Sequence, residues 1–481
     1  METVVSIIYT SSSSKEHIGD FSLAFIGFDG QYRTVGLKFD IKELWSFSKD
    51  TSSVAFDFLV LSMLVYNVDR AINRAKYSID GWHRTIKMIN IPVINLEEMN
   101  RGKTLFERAI SFLTGDSWRF EFVHSAEYEY HPLNISSYDI TDYEEVSLFS
   151  GGLDSLIGFI DSAHRIQEGK KVLLVSHMEL GKEKKDQVDI LNYCGNNHIH
   201  DMKYDRLLLN AGLKPKSWNI PSSTESTFRS RSLLFFAAGI YVSYHIGADM
   251  KLIVPENGTI SINIPLDSGR RSACSTRTTH PTFIKKLQLA LSEIGIENMI
   301  ENPYRLKSKA DMMKDAFEND VKKAELIPLV NLSCSCAKRG HNIHWDKSGA
   351  EIRENNITHC GMCLPCLYRR VALDAVGLDN TENLGTDVLN GQKYNINDHS
   401  QKRAKDFRAL LYFLRCRCNA KNIKRELILN GITDVKELND YVNLALHSYQ
   451  QVRGWLELNA NFRIKQLAGI IRFLIHMVIS I

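Results

Sequence analysis

The sequence predicts an α/β protein: a parallel sheet with crossover helices, an N-terminal α+β segment and a C-terminal helical region. Three observations carry this. Between about residues 144 and 330, strand-like runs (Glu145 to Phe149, Lys171 to Ser176, Lys251 to Val254) alternate with helix-like ones, the pattern of parallel strands joined by helices. Before residue 140, short β-like runs surround one long apolar helix pattern. After about residue 401, helical periodicity dominates. A chain of 481 residues exceeds one ordinary core, and the shifts in pattern put the expected domains at 1–140, 141–380 and 381–481.

Apolar content of 44% and charged content of 24% are those of a soluble globular protein. A net charge of +3 gives no electrostatic reason to expect nucleic acid. Met1-Glu2-Thr3 lacks the basic start of a secretory leader. The run Leu467 to Ile481 is apolar, but it holds Arg472 and His476 and falls short of the roughly 20 residues of a membrane span. It reads as a buried or partner-facing helix. Three of nine cysteines fall in Cys360-x-x-Cys363-x-x-Cys366, which suggests metal binding in a reducing compartment, so a cytoplasmic location without membrane contact is expected.

In the N-terminal segment, Val4 to Tyr9, Phe21 to Phe28 and Tyr32 to Ile41 read as strands, and Val54 to Ala75 as a helix. Trp82 to Ile94 and Trp118 to Val123 return to strand, with Pro92 marking an edge or an end. The segment holds no His/Cys cluster and no glycine loop, so His83, Arg84 and Trp118 read as structural. A packing or docking role is expected for it.

Val146 to Phe149 ends in Ser150-Gly151-Gly152-Leu153-Asp154-Ser155, after which Leu156, Phe159, Ile160, Ala163 and Ile166 recur at helical spacing. A glycine pair between strand and helix lets the backbone turn tightly and approach a ligand. The N–H groups of the following turn favour an anion, typically phosphate. Ser150 and Ser155 add hydroxyl donors, and Asp154 has the hard oxygens that suit magnesium. This is not the Walker A pattern. Gly102-Lys103-Thr104 matches only the tail of that motif and reads as a loop.

Ligands of such sheets sit at the carboxyl ends of the strands. Ser176 and His177 end the second strand, a place for an adenine ring. Arg229 and Arg231 open a helix that is apolar nearly all round, Leu233 to Val242, so Arg231 is expected to face a phosphate. After the third strand comes a long polar stretch holding Glu256, Asn257, Asn263, Arg270, Arg271, Ser275, Thr276, Arg277, Thr278, Thr279 and His280. Long ordered loops often carry function, and this one offers donors and acceptors for a polar heterocycle.

Cys360, Cys363 and Cys366 can share one tetrahedral Zn2+, with Cys334 or Cys336 as fourth ligand and His341, His344 and His359 in reserve. An iron–sulfur cluster is the alternative. The helix from Tyr368 would carry Arg369 and Arg370 toward the active-site mouth or the surface. Residues 380 to 400 read as a linker. Cys416 and Cys418 read as ordinary thiols, and Lys402, Arg403, Lys405 and Arg408 as a solvated face.

Ser-Gly-Gly-x-Asp-Ser resembles the PP-loop of N-type ATP pyrophosphatases, which implies a Rossmann-like, adenine nucleotide α-hydrolase core that cleaves ATP to AMP and pyrophosphate. Together with Arg231, Lys307-Ser308-Lys309-Ala310-Asp311, Cys334 and the cysteine triplet, it resembles the QueC family of 7-cyano-7-deazaguanine synthases over residues 144 to 380. The resemblance implies ATP, Mg2+ and Zn2+ as cofactors and 7-carboxy-7-deazaguanine as substrate. It implies catalytic roles for Asp154, Ser155, Arg231 and Lys309, and zinc on Cys334, Cys360, Cys363 and Cys366. The chain departs from the family at Thr276 to Pro281, where a Tyr-Pro-Asp-x-Arg motif is usual. Its extra ends look like those of the QueC-like components of Qat anti-phage defence systems. That likeness implies a defence role, and the added segments with the apolar terminal run suggest a protein partner or a homodimer. Two rival expectations stand beside it. A tRNA-modifying enzyme of the same loop class would need a persulfide cysteine, for which Cys194 and Cys274 are on hand. The other rival is a nucleotide-binding scaffold without catalysis.

Overall fold

A computed structural model describes residues 2–126, 128–178, 181–200, 203–214, 224–225, 227–267, 277–339, 345–390, 396 and 404–471. Arg270, Arg271, Cys274, Ser275, Thr276, His341, His344, Lys402, Arg403, most of the expected linker and the apolar terminus from Arg472 onward lie outside the described residues.

Alternating buried and exposed side chains mark the first strands, as in β1 (Glu2–Thr10) and β3 (Tyr32–Asp40), with β2 (Asp20–Ile26) between them. Then follow β4 (Thr85–Val93), β5 (Ser117–His124), β6 (Tyr143–Leu148), β7 (Lys171–Met178), β8 (Tyr204–Leu213), β9 (Leu252–Ile253) and β10 (Ile300–Glu301). All join one ten-stranded sheet in the order β10-β9-β6-β7-β8-β3-β2-β1-β4-β5. The run β10 to β8 is parallel throughout, as the sequence predicts. A second parallel run, β1-β4-β5, lies at the other end.

The N-terminal segment is not set apart at residue 140. Antiparallel pairing of β3 with β8, from Leu37↔Leu213 to Asp40↔Asn210, makes its strands a continuation of the same sheet. Contacts divide the chain instead into a sheet unit (Met1–Gly151, Gly158–Glu256, Ser272–Pro303) and a second unit (Gly152–Ile157, Asn257–Arg271, Tyr304–Ile481). Pro92 does not mark an edge: β4 lies between β1 and β5. It stands at the strand's end, just past a bulge at Met88/Ile91 where Asn90 turns to φ +59°.

In the sheet unit, the expected long helix runs Val54–Ala71, with Ser53 capping the Phe56 N–H. It is buried on nearly every side and packs against the equally apolar helix Arg231–Ile246. An ionic cluster lies beside them. Asp69 and Asp116, both fully enclosed, face Arg74 and Arg84, with Arg84 donating to Asp116 at 2.7 Å and Arg74 at 2.6 Å. Ser230 Oγ donates to Asp69 at 2.7 Å and pins the start of the second helix there. Arg84 and Trp118 are thus structural, the latter through Nε1 to Thr114 Oγ1.

The second unit is helical. Its longest helix, Val435–Asn459, is capped by Asp434. The helix Leu364–Asp374 carries Arg369 and Arg370 inward, against expectation. Arg369 donates to Ser333 Oγ (2.8 Å) and Val330 O (2.6 Å), and Arg370 pairs with Asp379 and Asp387. Residues at the start of the expected linker are built in: Leu384 bridges His359, and Gly385 N–H donates to His359 O. Among the described residues no helix is long and apolar enough to cross a membrane.

Candidate functional site

β6 feeds the glycine pair. Gly151 takes φ +78°, a conformation that side chains resist, and a Cβ there would also press on Asp186 and Gln187. Ser150 is exposed. Ser176 Oγ donates to Phe149 O at 2.8 Å, so its hydroxyl fixes the strand end. The helix Leu153–Arg165 starts at once, and Ser155 Oγ donates back to Gly152 O at 3.0 Å.

Asp154 is the centre of a buried group in the second unit. Lys309 Nζ donates to Asp154 Oδ1 at 2.5 Å, and Asn257 Nδ2 to Oδ2 at 2.7 Å. Asp154, Lys309 and Asn257 are all less than a tenth exposed. Each partner sits at a helix start. Lys309 opens Lys309–Phe317, whose capping box pairs Ser308 with Asp311. Asn257 caps Gly258–Ile262 through the Ile260 N–H. Asp311 therefore serves the helix start rather than a ligand, and Asn257, expected as a substrate contact, holds Asp154.

The cysteine site lies in the same unit. Cys336, Cys360, Cys363 and Cys366 bring their sulfur atoms within 4.8 Å of one another. Cys336 thus takes the place expected for Cys334, whose half-buried thiol is pushed up by burial. Cys336 Sγ accepts N–H bonds from Lys338 and Cys360, both at 3.3 Å. Cys360 Sγ likewise accepts from Met362 and Cys363. Such N–H donors favour thiolate, and the Cys360 thiol is held well below its ordinary range by its sulfur and N–H neighbours. Gly361 at φ +76° lets the chain turn between them; a Cβ there would lie 2.0 Å from Thr386 O.

The donor set fits zinc. Zn–S bonds of about 2.3 Å make a tetrahedron with edges of about 3.8 Å, and Cys360 Sγ and Cys366 Sγ stand 3.8 Å apart. This buried four-cysteine group can bind zinc, and with four thiolates it would be a closed, structural site. A short chain of bonds leads from it to the loop. His359, next to Cys360, accepts from Ser335 N–H at 3.1 Å, and Ser335 Oγ accepts the Leu153 N–H at 3.3 Å. Burial and the Arg369 charge keep His359 neutral. A polar cavity of about 200 Å³ adjoins the site, walled by Asn331, His359, Cys366, Arg369 and Asp379 among others.

The remaining expected residues belong to the sheet unit. His177 lies near the end of β7, as the sequence predicts, but it is fully enclosed, its Nε2 bonded to Ala211 O at 3.1 Å and its ring edge-on to Tyr66 and Phe235. Burial and the Arg231 charge lower it to about 3, so it is neutral. Arg231 is half-buried over the Phe235 ring. Arg277 covers Phe112 and donates to its carbonyl oxygen at 2.8 Å; His280 caps the helix Pro281–Glu293 against the same ring. Thr278 is half-buried beside them. Glu256, half-buried, gives its carbonyl to Asn302 Nδ2.

No protein-family model, curated protein or solved structure matches the chain.

Spacing in the sequence leaves Cys334 and Cys336 open as the fourth thiolate, and the sulfur positions select Cys336. The contact of Ser335 with the loop and the pairing of Asp154 with Lys309 have no signal in the sequence.

Proposed function

We propose that this chain is a QueC-like, AMP-forming carbon–nitrogen ligase with a PP-loop core. The observation that carries the reading is the buried Lys309–Asp154–Asn257 group on the first helical turn after the Gly-Gly bend. A glycine turn, a helix start and a lysine held by a carboxylate are the parts needed to receive a nucleotide triphosphate and offset its charge. Asp154 is the residue that would hold magnesium, which would add positive charge against the phosphates.

In this reading a carboxylate oxygen of a 7-carboxy-7-deazaguanine-type substrate attacks the α-phosphorus of ATP. The bond to the β-phosphate oxygen breaks and pyrophosphate leaves, giving an acyl-adenylate. An amine nitrogen then attacks the acyl carbon, AMP leaves, and the amine loses a proton. Positioning and charge neutralisation are what the chain supplies. The amine is ammonia or an amine on a protein partner of a defence complex, in the cytoplasm. Ser155, with Asp154 and Lys309, is proposed to meet ATP; Ser176 and His177, enclosed in β7 and bonded to main-chain carbonyls, hold the strand instead.

The test is the product of ATP turnover with 7-carboxy-7-deazaguanine and ammonia. AMP and pyrophosphate are expected, and Lys309→Met should slow their release by about 10²–10³. ADP and phosphate as the main products would sink the reading. Intact-mass analysis of candidate partner proteins after the same incubation separates transfer to protein from transfer to ammonia.

A further inference from the structure

The geometry points to the C-terminal helix Val435–Asn459 as a working part of the Asp154 centre, with Gln451, His447 and Ser448 as positioning residues. This rests on the functional reading above for its consequence, though not for its geometry.

Both partners of Asp154 lead back to one stretch of this helix. On one side, Ser308 Oγ donates to Gln451 Oε1 at 2.6 Å. Gln451 Nε2 donates to Asp311 Oδ1 at 2.7 Å, and His447 Nε2 meets the same oxygen at 2.9 Å. Ser308 and Asp311 are the capping box of the helix that Lys309 opens, so these bonds fix the point from which the lysine reaches Asp154. On the other side, Ser448 Oγ and Thr259 Oγ1 are 2.7 Å apart, both buried. Thr259 is in the short helix capped by Asn257. Gly258, at its start, is close to the same long helix: a Cβ there would lie 2.5 Å from Leu444 and 2.2 Å from Arg305 O. Residues 447 and 451 are one turn apart and share a face, so a single turn sets the origin of both hydrogen bonds that orient the carboxylate. Misplacing a reacting group by about 1 Å can cost about 10²-fold in rate, so bonds two steps from the chemistry are enough to matter.

The experiment uses the full-length, zinc-loaded protein with Gln451→Met and Thr259→Val, which keep side-chain volume and remove the polar contacts. The first readout is acylation of lysine amines by a water-soluble acylating reagent, followed by peptide mass spectrometry. Lys309 is buried and Lys307 is nearly half exposed, so Lys307 serves as the internal standard. Losing bonds worth about 1 kcal/mol should raise Lys309 labelling about fivefold in Gln451→Met, with Lys307 unchanged. The second readout is AMP formation: kcat should fall about tenfold in both variants, KM for ATP should stay within about twofold, and Thr259→Ser should restore the rate. Lys309 labelling unchanged in Gln451→Met, or Thr259→Ser as slow as Thr259→Val, overturns the inference. Wild-type protein that makes no AMP overturns the functional reading instead, and the labelling result then decides the inference by itself.

Discussion

Replacing Asp154 by asparagine should destabilise the protein far more than a surface change of equal size. Asp154 and Lys309 have side chains only 9% and 7% exposed, so water does little to screen the pair. Removing one partner of a buried ion pair leaves an uncompensated charge and costs about 3–5 kcal/mol. The damage is asymmetric. In Asp154→Asn the new amide would still offer Lys309 an oxygen, but its hydrogens would face the Asn257 Nδ2 donor, which lies 2.7 Å from the native carboxylate. Lys309→Met leaves the carboxylate with two donors, Asn257 Nδ2 and the Asn257 N–H at 3.4 Å. It should therefore cost less. At about 2–4 °C per kcal/mol for a unit of this size, Asp154→Asn should lower the melting temperature by about 10 °C. The double variant Asp154→Asn/Lys309→Met removes the stranded ammonium and should regain part of that loss. Calorimetry on the zinc-loaded protein reads all three. A loss below about 2 °C for Asp154→Asn, or a double variant less stable than Asp154→Asn alone, refutes the argument.

Metal analysis should find one zinc per chain; Cys336→Ser should lose it to a competing chelator, whereas Cys334→Ser should keep it, and the reverse order would restore Cys334 as the ligand. Gly361→Ala should weaken zinc retention through the close approach of Thr386 O, and unchanged retention would show that the turn can yield. His177 is held neutral by burial, with its pKa lowered from 6.5 to about 3. Because the folded state then binds fewer protons than the unfolded one, the stability it contributes is whole above about pH 6.5 and is lost as pH falls toward 3. Melting temperature should thus drop between pH 6.5 and 4 in the wild type and less steeply in His177→Phe; parallel curves would contradict this.

What the sequence disclosed follows the range of the forces involved. β1 and β3 announce themselves through alternation, and β6, β7 and the helix Val54–Ala71 through apolar runs of strand and helix length. The pairing of β8 with β3 joins residues far apart in the chain, and nothing local signals it. The cysteine triplet is legible because its ligands are close in sequence; Cys334 and Cys336 are equally placed by spacing and are told apart only by which sulfur receives the Cys360 N–H. Asp154 and Lys309 are 155 positions apart, and nothing local pairs them. Arg369 and Arg370 look like surface charge until Val330, Ser333, Asp379 and Asp387 close around them.

The antiparallel seam between β3 and β8 also has a meaning in time. β1, β2 and β3 are neighbours in sequence and can zip into a meander as soon as they leave the ribosome. The partner for the outer edge of β3 is Asn210 to Leu213, made about 170 residues later, which at 5–20 residues per second is on the order of ten to thirty seconds. Throughout that interval the nascent chain presents a bare strand edge, with the outward charge of Lys38 as a guard against pairing with a neighbour. Every chain released before β8 is complete carries that edge permanently. The seam that unites the sheet in the finished protein is, during synthesis, a strand edge open to other chains.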